Sequence, residues 1–304
     1  MEQRITPAMV TSSTLTGLNS SLSALERTTE ELSSGRKILE PSDNPYGASQ
    51  VIDLQSELDG LATYESAAEN GIAWESTASS AMASMNSAVQ RVRELVVEAA
   101  NGTNNQGDRE AIAQEVEQLT ETIKQEANTQ YAGQYVFSGT ATTTAPYLQG
   151  EEDEYQGNGE AITRAVGPSS TVTISIEISQ LLGNGAASED GKLLDTLRTI
   201  ASQLRGGTPE DLEALSETDL GQLDANLETL SSLQATAGSR IDQLEAAVSR
   251  NEGLQSTITQ GLSSVYDANL AEASIAYANE QAAYEAALRA GATIVQESLL
   301  NFLQ

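Results

Sequence analysis

The N-terminal part of the chain carries leucines at alternating steps of three and four positions. The series is Leu15, Leu18, Leu22, Leu25 and Leu32, with the polar Thr29 at one step. This a/d heptad pattern is typical of a helix that buries a narrow stripe against a partner helix. The pattern ends at Gly35, a residue that can adopt the left-handed conformation that commonly follows a helix. The sequence therefore predicts a first helix of coiled-coil type.

A short joint separates this helix from the next. It consists of Pro41, Ser42, Asp43, Asn44 and Pro45. The prolines disfavour helix, and a short polar side chain caps a new one, so Ser42 or Asp43 is the predicted N-cap. A second helix is predicted from about residue 46 to residue 100. A polar turn and a third helix, capped by Asp108 and ending near Gln130, complete a predicted antiparallel hairpin.

The pattern changes to a period of two after this hairpin. Residues 134–137 have the composition of a strand, and four apolar residues alternate with polar ones further on. These four are Val172, Ile174, Ile176 and Ile178. Acidic and glycine-rich loops lie between the two segments. A cluster of acids at 151–154 lacks the ligand spacing of a calcium loop and is interpreted as a solvated loop. We therefore predict a small β-rich insertion.

Helical patterns return in the C-terminal part. A helix is predicted over 192–204, a second one capped by Thr208, and a long heptad seam from Leu220 onward. The last apolar positions of this seam are Leu270, Tyr277, Tyr284, Leu288, Val295, Leu299 and Phe302. Neither end of the chain can bury its stripe alone, so we expect the two ends to pair with each other or with neighbouring subunits.

These elements predict a mainly α protein. The expected architecture is an elongated antiparallel helical bundle or coiled coil of the N- and C-terminal helices, with a small β-rich insertion. Three domains are predicted: a terminal helical domain of residues 1–41 and 266–304, a rod of long helices over 42–132 and 190–265, and the insertion over 133–189.

Composition narrows the function. Lys and Arg number 15 against 44 Asp and Glu, which gives a formal net charge of −29 and disfavours nucleic acid and anionic membrane surfaces as partners. His and Cys are absent, which removes nucleophiles that depend on them and nearly every zinc site. Neither an apolar leader nor a run of 18 apolar residues occurs, so we expect no cleaved signal peptide and no membrane insertion. No catalytic, cofactor or metal residue is assigned. A structural protein is favoured over two alternatives, a carboxylate hydrolase and a cytoplasmic coiled-coil scaffold.

Several strings resemble the flagellin-like axial proteins of the bacterial flagellum. The string LSSGRKI at 32–38, followed by PSDNP at 41–45, resembles the segment that joins the first two helices of that family. RIDQL at 240–244 and SLLNFL at 298–303 are similar to its C-terminal helices. YVFSGT at 135–140 and the start RIT at 4–6 are similar to the hook–filament junction members, and a short flagellin remains the alternative.

The resemblance implies a structural role without enzyme activity or cofactor. A junction member would join the hook, through hook-associated protein 1, to the flagellin filament. Its other partners would be further copies of itself in a ring and a cytoplasmic export chaperone on the C-terminal helix. It would be extracellular, exported through the flagellar type III channel. The terminal leucines and aromatic residues given above would pack the inner axial helices, Pro41–Pro45 would be an inter-helix joint, and the β-rich insertion would face outward.

Overall fold

A computed structural model describes residues 7–100, 104–150, 154–185 and 190–303. The protein is mainly helical, with two small strand pairs, and the predicted fold class is confirmed. The helices are α1 (Pro7–Ser34), α2 (Pro45–Ala100), α3 (Gln106–Ala127), α4 (Ser179–Leu182), α5 (Leu193–Gly206), α6 (Pro209–Ala214), α7 (Leu220–Tyr266) and α8 (Leu270–Leu303). A π-helical turn, Leu215–Asp219, joins α6 to α7. The strands are β1 (Gln130–Tyr131), β2 (Gln134–Tyr135), β3 (Thr163–Gly167) and β4 (Ser170–Thr173). Within the described ranges, none of the helices has the length and apolar character that crossing a membrane requires.

The chain forms two compact units, of which the first is built from two separate stretches of sequence and the second from one. The first comprises Met1–Gly60 and Leu254–Gln304, and the second comprises Leu61–Gly253. Helices α2 and α7 contribute residues to both units. The domain boundaries expected from the sequence remain a prediction.

In the first unit, α1 and α8 pack against each other and run antiparallel. The end of α1 meets the start of α8 through two backbone hydrogen bonds. The N–H of Lys37 donates to the carbonyl of Tyr266 (2.8 Å), and the N–H of Ala268 donates to the carbonyl of Gly35 (2.9 Å). At the opposite end of the pair, Thr14 lies against Gly291, since a Cβ built on that glycine would be 3.4 Å from Thr14 Cγ2.

The second unit holds one large apolar core, to which α2, α3, α5 and α7 all contribute. Helix α7 shows the heptad spacing most clearly, because every seventh residue is buried. These residues are Leu223, Leu230, Ala237, Leu244 and Asn251. The buried Asn251 donates its side-chain N–H to the carbonyl of Val166 (3.3 Å), so its polar atoms do not oppose burial.

The strands are shorter than the sequence predicts. β1 and β2 form a hairpin across Ala132 and Gly133, both with positive φ, so the predicted strand over 134–137 stops at Tyr135. β3, which the sequence did not predict, pairs antiparallel with β4. Ile174, Ile176 and Ile178 are buried but lie beyond β4. Their alternation therefore reports alternate burial of an extended segment, which does not need a strand partner at every residue.

The start of α3 also differs from prediction. Its N-cap is Asn105, whose side chain accepts a hydrogen bond from the N–H of Asp108, while the Asp108 carboxylate accepts one from the N–H of Asn105. Asp108 is thus the third residue of a reciprocal capping box, and the prediction that it is itself the cap was wrong. The cap predicted at Thr208 is confirmed, with Asp211 as its reciprocal partner.

Candidate assembly surface on the terminal helices

The face of α1 that lies against α8 is a mixed seam of leucines and small hydroxyl residues. Half-buried positions follow heptad spacing, and they are Thr14, Leu18, Ser21, Leu25, Thr28 and Leu32. The Thr14 and Thr28 hydroxyls donate to carbonyls of the preceding turn of their own helix, at 2.8 Å to Val10 and 3.0 Å to Leu25. Small, internally hydrogen-bonded side chains at alternate positions therefore let the two helices lie close together.

The facing residues of α8 have the same spacing. Its buried or half-buried positions include Ala273, Tyr277, Tyr284 and Gly291. Of the residues predicted to pack the terminal helices, Leu18, Leu25, Leu32, Tyr277 and Tyr284 thus lie on seam positions. The contribution of these residues to assembly remains a prediction.

The other predicted packing residues lie away from the seam. Leu15 is 56% exposed, Leu22 36%, Leu270 55% and Leu288 44%. Met9 and Ile275 are exposed as well. The side chains of the remaining predicted residues, Val295, Leu299 and Phe302, lie outside the described residues. One heptad series in the sequence is therefore divided into a set that pairs α1 with α8 and a set that faces outward. Exposed apolar side chains that share one face are typical of a surface that another protein covers, and Leu15 and Leu22 lie about two turns apart on the same face of α1.

The inter-helix joint is organised by Asp43. Its Oδ2 accepts hydrogen bonds from the N–H of Glu40 (3.1 Å) and of Leu39 (3.2 Å), and its Oδ1 lies 3.0 Å from Nη2 of Arg27 in α1. The hydrogen bond from Glu40, supported by those from Leu39 and Arg27, lowers the pKa of the Asp43 carboxyl below its usual range. Asp43 thereby fixes the loop between the helices to the side of α1.

The N-cap of α2 is Asn44. Its Oδ1 accepts a hydrogen bond from the N–H of Gly47 (3.0 Å), and Pro45 occupies the first helical position. The prediction of Ser42 or Asp43 as cap was wrong, because the Asp43 carboxylate is engaged with the preceding loop. Gly47 is tightly enclosed, since a Cβ there would lie 2.5 Å from Asn44 Nδ2 and 2.8 Å from Cδ1 of the buried Ile38.

Sequence reasoning missed Arg27, Ile38 and Gly47 as parts of this joint. Ile38 and the neighbouring Leu39 form a short apolar pair between two cations and an acid, and no periodicity marks Ile38 as the buried member. A further contact joins the start of the loop to the end of α7, where the guanidinium carbon of Arg36 lies 5.0 Å from the ring centroid of Tyr266. The joint and the end of α1 are therefore fixed by specific contacts.

The acidic side chains do not gather into a metal centre in the part of the chain that the structure describes. No group of three or more Asp and Glu residues is placed there so that it could hold an ion.

Comparison with known proteins first identifies the class of protein that this chain resembles. Residues 5–142 match the family model of the bacterial flagellin N-terminal helical region. A similar fold occurs in the solved structure of a putative flagellar hook-associated protein from Vibrio parahaemolyticus, with a TM-score of 0.66 and 19% identity, covering 74% of this chain and 100% of that one. The chain therefore has the fold of the flagellin-like helical proteins.

Two named relatives narrow the class. Flagellar hook-associated protein 3 of Escherichia coli (strain K12) is 25% identical over 304 residues, which cover 94% of this chain and 95% of the relative. Phase 1 flagellin of Salmonella naestved is 37% identical over 126 residues, which cover 41% of this chain and 25% of that flagellin. The chain is therefore a homologue of flagellar hook-associated protein 3, and the resemblance to the junction members of the flagellin-like family is confirmed.

Proposed function

We propose that this protein joins the flagellar hook to the flagellin filament and contacts the hook through hook-associated protein 1. The observation that carries the proposal is the end-to-end similarity to hook-associated protein 3, since 94% of this chain aligns with 95% of that relative. The flagellin match covers a quarter of the flagellin. A junction role accounts for both, because residues 5–142, which match the flagellin N-terminal helical region, would pack against flagellin.

The exposed apolar residues of the first unit support an assembly role. Burial of a leucine side chain contributes about 1.5–3 kcal/mol, so exposed Leu15, Leu270 and Leu288 favour association with neighbouring helices. The neighbours would be further copies of this chain in a ring, hook-associated protein 1 on one side and flagellin on the other. The terminal domain would form the inner axial layer, the rod of long helices the next layer, and the β-rich insertion the exterior.

The same surface requires protection before assembly. We infer that a cytoplasmic export chaperone covers the C-terminal helix and that the chain leaves the cell through the flagellar type III channel. The protein would then act outside the cell as a structural component without enzyme activity.

A short flagellin is the second candidate. The 37% identity to Salmonella flagellin over 126 residues favours it. The two candidates predict different phenotypes, because loss of a filament subunit removes flagellin itself, whereas loss of a junction protein leaves flagellin without a place to assemble.

Deletion of the gene in its source bacterium, with electron microscopy of hooks and a flagellin immunoblot of the medium, tests the proposal. We expect hooks without filaments and abundant soluble flagellin in the medium, and restoration of filaments by the wild-type gene. Normal filaments would contradict the proposal. Absence of filaments together with absence of the flagellin band would support the flagellin alternative instead.

A further inference from the structure

A fully buried carboxylate lies in the core of the second unit. Glu75 on α2 is 0% exposed, and its neighbour Trp74 is 1% exposed. Taking a carboxylate out of water is unfavourable unless hydrogen bonds and opposite charges satisfy both oxygens. The surroundings of Glu75 satisfy one of them.

One oxygen of Glu75 has a charged partner on α7. Oε1 lies 3.2 Å from Nη1 of Arg240, and the same Nη1 donates a hydrogen bond to the carbonyl of Ser175 (2.7 Å), after β4. Oε2 accepts no hydrogen bond from any residue that the structure describes. Arg240 thus connects α2, α7 and the segment after β4 through a carboxylate that is half satisfied.

The two members of the pair differ in their access to water. The Arg240 side chain is 21% exposed and lines a surface cleft of about 300 Å³ together with Glu160 and Glu177. Arg240 therefore has carboxylates and solvent available on its outer side, whereas Glu75 has no route to water without movement of the core.

Further charged side chains of this unit contact α2 or line the cleft beside Arg240. Arg164 on β3 reaches α2 one and a half turns earlier, where it donates to Oδ1 of Asn70 (3.3 Å). Glu160 and Glu177 line the same cleft as Arg240. Burial raises the pKa of Glu75 to about 7, and the charge of Arg240 opposes this rise. Glu75 therefore titrates near neutral pH, well above the ordinary pKa of a glutamate.

We propose that the Glu75–Arg240 pair is a pH-dependent conformational element of the second unit. When Glu75 is ionised, its charge holds Arg240 inward, and the hydrogen bond from Arg240 fixes the Ser175 carbonyl against α7. When Glu75 takes up a proton from solvent, that attraction ends and Arg240 turns toward Glu160 and Glu177 in the cleft. The segment after β4 then loses one of its fixed contacts to α7.

The sign of the stability effect follows from linkage. The pKa of Glu75 is higher in the folded chain than the ordinary value of 4.5 for an unfolded one, so the folded state binds the proton more tightly. The stability that this proton contributes is fully present below pH 4.5 and is lost as the pH rises through about 7. A neutral Glu75→Gln side chain imitates the protonated form and is expected to keep that stability at high pH.

The experiment uses the full-length protein and its single tryptophan. Trp74 is adjacent to Glu75 and buried, so its emission reports changes in this part of the core. We would record emission and the thermal unfolding midpoint from pH 5.5 to 8.5 for the wild type, for Glu75→Gln, and for Glu69→Gln as a control at an exposed position of the same helix.

We expect the wild type and the Glu69→Gln control to show an emission transition near neutral pH. This transition should be absent in Glu75→Gln. At pH 8.5, Glu75→Gln should unfold at least about 3 °C above the wild type, and this difference should narrow as the pH falls to 5.5. Persistence of the transition in Glu75→Gln, or its absence in the wild type, would overturn the proposal.

A second variant tests the proposal even if Glu75→Gln does not fold. Arg240→Gln removes the opposing cation, so the transition should move to higher pH. Carbon-13 NMR of the wild type should also show one glutamate carboxyl carbon that titrates near neutral pH. If every glutamate carboxyl titrates below pH 5.5, or the Arg240→Gln transition does not move, the proposal is wrong.

Discussion

The exposed leucines of α1 allow a sharp test of the assembly surface. Leu15 and Leu22 together expose about as much surface as one fully exposed leucine. Burial of that surface by neighbouring subunits would contribute about 1.5–3 kcal/mol per subunit, which corresponds to a roughly 10- to 100-fold change in an association constant. The double substitution Leu15→Ala, Leu22→Ala should therefore weaken assembly by that factor. It should leave the isolated chain stable, because these side chains lie away from the α1–α8 seam.

The assay combines two measurements on the same variant. Thermal unfolding of the purified chain by circular dichroism reports its own stability, and filament counts in the complemented deletion strain report assembly. The matched control is Ser20→Ala, Ser23→Ala, two exposed positions on the same helix. We expect unchanged unfolding for both variants and a loss of filaments for the leucine variant. Wild-type filament counts with the leucine variant, or a marked drop in its unfolding temperature, would refute the assignment of these leucines to an intersubunit surface.

Three further predictions concern stability. Asn105→Ala should lower the free energy of unfolding in urea by about 1 kcal/mol through loss of the capping box, whereas exposed Gln114→Ala in the same helix should leave it nearly unchanged. Gly47→Ala should destabilise the chain in the same assay, because the added methyl group would crowd Asn44 and Ile38. This crowding costs about 1–3 kcal/mol and exceeds the gain in helix propensity of about 1 kcal/mol. An increase in stability would contradict the close packing of the joint. Because the pKa of Asp43 is lowered in the folded chain, its carboxylate stabilises the fold at pH values above its ordinary pKa of 3.8, and this contribution is lost as the pH falls through the folded pKa. The difference in stability between the wild type and Asp43→Asn should therefore narrow below pH 3.8. A difference that stays constant with pH would exclude this role of Asp43.

The long helices could be predicted because their signal is periodic and repeated. The heptad positions of α7 are buried at every seventh residue from Leu223 to Leu244, and one polar member, Asn251, still fits because a carbonyl lies within its reach. The first helix was also predicted, together with its end at Gly35, which has a positive φ of 69°. Periodicity did not separate Leu18 from Leu15, because two adjacent stripes with the same spacing both satisfy a three-four rhythm.

The joint and the β-rich segment could not be predicted in detail because their structure depends on contacts distant in sequence. Ser42, Asp43 and Asn44 are all competent caps, and the choice of Asn44 depends on Arg27 and the loop amides that engage Asp43. Ile176 alternates like a strand residue, but the segment after Thr173 has no continuing ladder partner. The buried Glu75 gave no signal among 44 acidic residues, because burial of a single carboxylate does not alter a periodic pattern.

The two hydrogen bonds between residues 35–37 and 266–268 have a consequence for the order of folding. They close a loop of roughly 230 residues, for which the closure entropy is about 5 kcal/mol, whereas a hairpin between neighbouring helices closes a loop many times shorter. Contacts of such large sequence separation form late, after shorter-range contacts have already reduced the freedom of the intervening chain. The helix that is synthesised first is therefore among the last to find its partner, and for most of the folding process α1 must remain without α8.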